Sequence, residues 1–304
     1  MIIPSKLNKG DTIVVIAPSG AIEDEDILKI NESIKLLEDF GFNVVFSENA
    51  YENDLGYGTY ARKRADDINE MFSRTDIKAI LVATGGFASC TTFDYLDYKL
   101  IRENPKILCG FSDATSIENV ISDKCGIVTY SGPTLKSMTS WDTDYAYEQF
   151  IKKFAFADSN LFEEDDECFT IIEGNAEGEL IGGNLSLIAK MCAGKHKINF
   201  DNKILFLEEL YYEAPPGLVY ENLYYLKQNG VFDKIKGIWL GNYEGEIPIE
   251  KVLFDVFEND ITIPVIKSNN FGHTDKKMII PIGVNAKIDT NEKIKIKLTQ
   301  KIVN

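Results

Sequence analysis

Ser112 lies in Lys106-Ile107-Leu108-Cys109-Gly110-Phe111-Ser112-Asp113-Ala114-Thr115, a short apolar run that passes through Gly-x-Ser-x-Ala into a segment with Ile117, Val120 and Ile121 at helical spacing. A strand that reverses sharply into a helix lifts a serine hydroxyl above its sheet, the arrangement of a nucleophile in acyl transfer. Gly110 lacks the Cβ that such a reversal would clash with, and Ala114 keeps the other side of the turn small. The backbone N–H groups just after Ser112 then sit at a helix N-terminus and face any negative charge that develops there. A serine or aspartate at this position also serves as a simple helix cap, so the reading depends on partners.

A serine hydroxyl needs a general base, usually histidine, within hydrogen-bond reach. The chain has two histidines. His196, in Ala193-Gly194-Lys195-His196-Lys197, reads as a solvated loop residue. His273, in Asn269-Asn270-Phe271-Gly272-His273-Thr274-Asp275, falls between the apolar runs Ile261 to Ile266 and Met278 to Ile282, a strand-end loop of the kind that presents functional side chains. His273 is therefore the preferred base. The acid that orients it is sought in Lys203-Ile204-Leu205-Phe206-Leu207-Glu208-Glu209, where a strand-like run ends in two carboxylates. Alternation puts Glu208 and Glu209 on opposite faces, so at most one enters a shared site. Otherwise both read as solvated charges at a strand end, and Asp275 is the next acid to consider.

Gly110-Phe111-Ser112-Asp113, Leu207-Glu208-Glu209 and Gly272-His273-Thr274-Asp275, in that order, resemble the three catalytic blocks of the LD-carboxypeptidase family of serine peptidases, which includes the microcin C immunity peptidases. Ala83-Thr84-Gly85-Gly86-Phe87-Ala88-Ser89 resembles the family's glycine pair after the third strand, and Leu180-Ile181-Gly182-Gly183-Asn184-Leu185 the block opening its second domain. The resemblance runs from about Lys6 to Ile294. It implies Ser112 as nucleophile, Glu208 as orienting acid, His273 as base, and an oxyanion hole from the backbone N–H groups of Gly86 and Asp113. It implies no cofactor and no metal.

Two stretches depart from the family pattern. The glycine block continues Phe87-Ala88-Ser89-Cys90, where many relatives carry another glycine and an arginine or asparagine. The microcin-directed branch has a longer, tryptophan-bearing loop ahead of the second glycine block that stacks on adenine. Here the corresponding Phe162-Glu163-Glu164-Asp165-Asp166-Glu167-Cys168-Phe169 is short, acidic and without tryptophan, leaving Phe162, Phe169 or Tyr211 to supply a stacking face.

The elements that must position these residues follow from periodicity. Thr12 to Ala17, Asn43 to Ser47, Ile77 to Ala83, Lys106 to Gly110 and Gly126 to Tyr130 are short apolar runs separated by helical stretches such as Asp24 to Phe40 and Tyr60 to Phe72. Alternation of strand and helix predicts an α/β fold, an N-terminal parallel sheet with helices on both faces. Ligands then belong at the carboxyl ends of the strands, where Ser19-Gly20, Gly85-Gly86 and Ser112 fall. Ala17-Pro18-Ser19-Gly20 fits neither phosphate-binding glycine pattern and reads as a structural turn. After the helix beginning at Tyr145, the polar stretch Ala157 to Asp166 marks a boundary, with the acids Glu163 to Glu167 read as a solvated linker. The expected division is 1–160, bearing the nucleophile, and 161–304, a mixed α/β, barrel-like domain supplying acid and base across a cleft.

The 304 residues, 44% of them hydrophobic, suffice for two domains with real cores. The net charge of −16 argues against nucleic acid as a partner and is compatible with small-molecule or peptide partners; the small peptide or muropeptide substrate is what the family resemblance implies. No apolar run approaches the ~20 residues of a membrane span, and the N-terminus lacks a signal-peptide pattern. The five cysteines, odd in number and without paired metal spacing, read as reduced packing residues of a cytoplasmic protein. A Cys-His hydrolase built on Cys109 fails because that thiol lies inside the strand before Gly110. The family resemblance implies an intracellular serine carboxypeptidase, similar to those that trim a terminal D-alanine from muropeptides, monomeric or homodimeric. Its rivals are a microcin-type immunity peptidase and a non-catalytic two-domain peptide-binding protein in which Ser112 only caps a helix.

Overall fold

The computed structural model describes residues 1–139, 144–163, 166–212, 214–258 and 260–304. The first half runs β1 (Thr12–Ile16), α1 (Ile27–Phe40), β2 (Asn43–Phe46), α2 (Ala61–Ser73), β3 (Ile77–Val82), α3 (Tyr98–Glu103), β4 (Ile107–Gly110), α4 (Thr115–Cys125), β5 (Thr129–Ser131) and α5 (Tyr145–Phe154). The second runs β6 (Phe169–Ile172), β7 (Asn175–Asn184), α6 (Leu185–Lys190), β8 (Lys203–Glu208), α7 (Pro216–Gln228), β9 (Gly237–Leu240), α8 (Ile249–Val256), β10 (Val265–Lys267), β11 (Ile280–Ile282), β12 (Asn285–Asp289) and β13 (Ile296–Leu298).

Strands β2, β1, β3, β4 and β5 form a parallel sheet in that spatial order, as the βα alternation predicts, and β11 adds antiparallel to β5. Both faces of this sheet are covered, which explains why its strands read as continuous apolar runs. In β1, Ile13 and Val15 enter one core with Ile30 and Leu37 of α1, whereas Val14 and Ile16 enter the other with Ala65 and Ile68 of α2 and Ile117 of α4.

The second sheet has the order β13-β12-β7-β8-β9-β10-β6, parallel in its middle four strands and antiparallel outside them, and it curls into a half-barrel. Its helices α6, α7 and α8 cover one face. Leu205 and Leu207 of β8 point into that helical layer, and Ile204 and Phe206 point into the opposite core with Trp239 and Phe271. This alternation decides where the two acids at the end of β8 go.

The sheets meet where α4 docks on the end of β7. Asn119 Nδ2 donates to Gly182 O at 2.8 Å, Asn119 Oδ1 accepts from Gly182 N at 3.2 Å, and Asn184 N donates to Thr115 Oγ1 at 3.1 Å. A Cβ on Gly183 would come within 2.5 Å of Thr115 Oγ1, so the glycine pair is what lets the helix carrying the nucleophile turn approach this closely.

The acidic stretch Glu163 to Glu167 departs from its expectation. Glu164 and Asp165 lie outside the described residues, but the side chain of Asp166 is only 1% exposed. It accepts from Asn270 Nδ2 at 2.5 Å, Lys276 Nζ at 3.0 Å and Tyr145 Oη at 3.2 Å. Asp166 is therefore a buried clasp on the loop that carries His273, and the linker reading is corrected. Asn270 and Lys276 lie about a hundred residues downstream, beyond the reach of local pattern.

Candidate active site

The nucleophile turn has the predicted construction. Strand β4 ends at Gly110, Phe111 is fully extended (φ −157°, ψ −172°), and Ser112 adopts the left-handed region at φ 60° before one tight turn leads into α4. A non-glycine residue held there is strained and persists only where its surroundings enforce it. Those surroundings are tight. A Cβ on Gly110 would lie 2.8 Å from Val82 Cγ2 and 2.9 Å from Ala114 Cβ, so Gly110 and Ala114 are small for the reason their spacing suggested.

Glu208 continues the face of Ile204 and Phe206 and reaches the loop after β10. Its Oε2 accepts from the His273 backbone N at 3.1 Å and lies 2.7 Å from His273 Nδ1. A carboxylate accepts only, so Nδ1 carries the hydrogen and Nε2 presents its lone pair away from the acid. Gly272, at φ 92°, makes this closure feasible, because a Cβ there would sit 2.5 Å from Glu208 Oε2. The His273 ring packs on Phe111, the residue before Ser112, with ring centroids 5.0 Å apart. The structure thus joins Glu208 and His273 directly and sets the imidazole against the turn that holds Ser112.

The electrostatics fit a base paired with an orienting acid. Burial disfavours the charged imidazole, but the adjacent Glu208 carboxylate outweighs it and holds the His273 pKa above the ordinary histidine value. Burial would equally raise Glu208, yet His273, by charge and by hydrogen bonds, and more weakly Lys277, hold it below the ordinary range. Lys277 is a residue that the sequence did not flag. It is buried, donates to Gly272 O and Thr274 O at 3.0 Å each, and places its ammonium 4.2 Å from the centre of the Phe111 ring. Burial pushes its pKa down to about 8. Asn242 Nδ2 holds the His273 carbonyl at 2.7 Å. Asp275, the alternative acid, is exposed and accepts from Thr274 Oγ1 and Lys276 N.

Glu209 faces the helical layer, as alternation requires, but the expectation of solvated charges is wrong for both acids. Glu208 is 3% and Glu209 2% exposed. Glu209 accepts from Asn184 Nδ2 at 2.7 Å, Ser186 N and Leu210 N at 2.9 Å each, and the Ser186 hydroxyl. It ties the end of β8 to the start of α6, and burial raises its pKa despite these bonds.

Gly86, Ser112 and Asp113 line one cleft of about 880 Å³. A Cβ on Gly86, at φ 137°, would lie 2.6 Å from Gly20 N, and one on Gly85 would touch Ser112 Oγ at 3.5 Å. The glycine pair thus lets the strand-end loops of β1 and β3 close around the serine. The Asp113 carboxylate turns away from the cleft to accept from Ser89 N at 2.8 Å, and Ser89 Oγ donates to Asp113 O at 2.7 Å. This reciprocal pair fixes the glycine loop to the nucleophile turn. Arg64 of α2, almost fully buried, braces the same loop by donating to Pro18 O at 2.5 Å, Ala88 O at 3.3 Å and Thr91 Oγ1 at 3.0 Å.

Three other expectations change. His196 is no solvated loop residue: it lines the same cleft, its ring edge against Phe93 and its Nε2 2.7 Å from Asp94 Oδ1. Cys90 is exposed in the cleft wall and is not a packing residue, whereas Cys109 is buried as expected and burial raises its thiol pKa far up. Phe162 is unavailable for stacking because it packs on Trp239, and neither Phe169 nor Tyr211 lines the cleft. The exposed aromatic ring in the wall is Phe87.

Among the described residues no helix is long and apolar enough to cross a membrane. The family models for the LD-carboxypeptidase N-terminal and C-terminal domains match residues 13–132 and 177–288. The probable murein peptide carboxypeptidase of Bacillus subtilis is 32% identical over 303 residues, covering 95% of this chain and 92% of that protein. The microcin C7 self-immunity protein MccF of Escherichia coli is 28% identical over 329 residues, covering 96% and 94%. The structure of an MccF-like protein from Bacillus anthracis superposes with a TM-score of 0.86 at 32% identity, each chain covered in full. With both halves matched and the blocks around Ser112, Glu208 and His273 in place, this chain is a member of the LD-carboxypeptidase family of peptidases.

Proposed function

We propose that the protein is a serine LD-carboxypeptidase that removes a terminal D-alanine from muropeptides recovered in the cytoplasm, with Ser112 as nucleophile, His273 as base and Glu208 as orienting acid. The observation that carries this reading is the buried Glu208–His273 pair at 2.7 Å, set beside a serine held at φ 60°. His273 Nε2 takes the Ser112 Oγ proton as that oxygen attacks the scissile carbonyl. The Glu208 carboxylate stabilises the imidazolium that forms. The oxyanion sits against the Gly86 and Asp113 backbone N–H groups, and Nε2 then passes its proton to the amine of the departing D-alanine. Water, activated by His273, releases the acyl group from Ser112.

Incubation with a muropeptide tetrapeptide, followed by mass spectrometry for free D-alanine and the tripeptide, tests the reaction. A serine-directed phosphonate with intact-mass readout tests the nucleophile. A non-catalytic peptide-binding protein gives neither product nor adduct, and either absence counts against the assignment. A second reading, cleavage of a peptidyl-nucleotide in microcin immunity, is favoured by the full-length likeness to MccF and the MccF-like structure. The loss of Phe162 as a stacking face weighs against it, and Phe87 is the ring left to take a base. A peptidyl-nucleotide offered in parallel with the muropeptide separates the two by rate.

A further inference from the structure

A carboxypeptidase has to recognise a carboxylate, and nothing in the triad or oxyanion loop does so. The difficulty is sharpened by charge: at −16, the protein's field repels an anionic peptide, so a cleft that admits one needs a local cation. Among the described residues lining the cleft, Lys190 is the one lysine or arginine. The other ionisable groups there are engaged. The Asp113 carboxylate accepts from Ser89 N, and His196 Nε2 pairs with Asp94, which also holds Lys195.

Lys190 closes α6 and is exposed at the cleft wall. It lies four residues after Ser186, hence on the same helix face. Ser186 is anchored through its backbone N and hydroxyl to the buried Glu209, and Asn222 Nδ2 donates to its Oγ at 3.0 Å. No ion pair to Lys190 occurs among the described residues, while Ser186 one turn earlier is tied to the buried end of β8. Cys90, exposed on the loop that holds Gly86, lines the same cleft as Lys190.

We propose that Lys190 is the specificity residue that pairs with a carboxylate of the bound peptide. The proposal rests on the peptidase reading above. Two sources supply that chemistry, the terminal carboxylate of the residue to be released and an internal acidic residue of the peptide, and the test separates them.

Binding is measured by calorimetry with Ser112→Ala protein, which leaves the peptide intact, and with Ser112→Ala/Lys190→Ala protein. The ligands are a muropeptide-type tetrapeptide ending in D-alanine, its C-terminal amide, and a version whose acidic residue is replaced by its amide. Removing Lys190 is expected to weaken the acid peptide about two- to fivefold, the range of a solvated ion pair, with the loss shrinking as salt rises. Lys190→Arg should restore most of it. Loss of this Lys190 effect with the C-terminal amide assigns the terminal carboxylate, and its loss with the internal amide assigns the acidic residue. Equal weakening of all three ligands, or none, overturns the proposal. If Ser112→Ala protein binds no tetrapeptide while wild type releases no D-alanine, the peptidase reading itself has failed.

Discussion

The two halves of the site hold their functional groups by different means. On the first sheet, a local backbone device does the work: β4 ends in Gly110, which Val82 and Ala114 crowd, and Ser112 follows at φ 60°. Its side chain contributes little to that geometry. On the second sheet, the groups are held by buried charge. Glu208 meets His273, Lys277 clamps the carbonyls of Gly272 and Thr274, and Asp166 reaches over from about a hundred residues upstream. The lesson is that chemistry and stability are separable at Ser112 and entangled at Glu208.

The largest effect expected from this contrast is at Ser112. Ser112→Ala should lose about 10⁴- to 10⁶-fold in kcat, roughly 6 to 8 kcal/mol of transition-state stabilisation, while its thermal midpoint stays near wild type. Steady-state kinetics and a melting curve on the same preparation check both halves of the statement. Activity above about a tenth of wild type would remove Ser112 from the mechanism.

Glu208→Gln should be nearly as damaging to rate and more damaging to the fold. Losing the orienting charge costs about 10⁴ in kcat by analogy with triad acids changed to amides. The glutamine must also offer an acceptor to two N–H groups of His273 while finding a place for its own donors, and an unsatisfied buried group costs about 1–3 kcal/mol. A variant that loses rate with an unchanged melting temperature would break the claimed coupling of chemistry and stability on this side.

The same contrast explains what was readable from sequence. The nucleophile turn was legible because everything that shapes it lies between Gly110 and Ala114. His273 was legible from Gly272 and the flanking apolar runs, and the opposite facing of Glu208 and Glu209 followed from strand alternation. What escaped was long-range. The clasp of Asp166 on Asn270, the approach of Lys277 to Phe111 and the cleft position of His196 depend on contacts that no local window contains. Strand β7 carries Gly178, Gly182 and Gly183. They are glycines because Asn202, Phe206 and Thr115 approach their backbone too closely for a Cβ.

The pH profile sharpens the comparison, because only the second half carries a titrating pair. His273 has to be neutral to accept the Ser112 proton, and its pKa is raised. Activity should therefore rise through an acid limb above the unperturbed histidine value of about 6.5. The stability that the charged imidazole contributes is fully present below that unperturbed value and is lost as pH rises through the folded pKa. The contribution of Glu208, whose pKa is lowered, is present above the ordinary glutamate range and is lost as pH falls through its folded value. Residual Glu208→Gln activity should have its acid limb moved to lower pH, since burial and Lys277 then act on His273 without the opposing carboxylate. An unmoved limb in a pH series of kcat/KM would mean that Glu208 does not set the base.

The smallest effect on rate is expected at Glu209, one residue from Glu208 and equally buried. Its carboxylate takes four donors, from Asn184, Leu210 and both the backbone and hydroxyl of Ser186, all on the α6 side of β8. Glu209→Gln replaces one acceptor oxygen with a donor that would face another donor. Asn184 cannot turn its amide to accommodate this, because its Oδ1 caps α6 by accepting from Leu187 N at 3.3 Å. At the Oε1 position the new donor leaves Asn184 Nδ2 and Leu210 N unmet, and at Oε2 it leaves Ser186 N unmet, so at least one buried donor loses its partner, which costs about 1–3 kcal/mol of stability. The loss is partly offset because burial already disfavours the charged form of this acid at neutral pH. No reacting group depends on Glu209, so kcat should stay within a few-fold of wild type while the denaturation midpoint falls. A fall in kcat approaching that of Glu208→Gln, with the midpoint unchanged, would show that the α6 face of β8 takes part in the chemistry and that the division between the two adjacent acids is wrong.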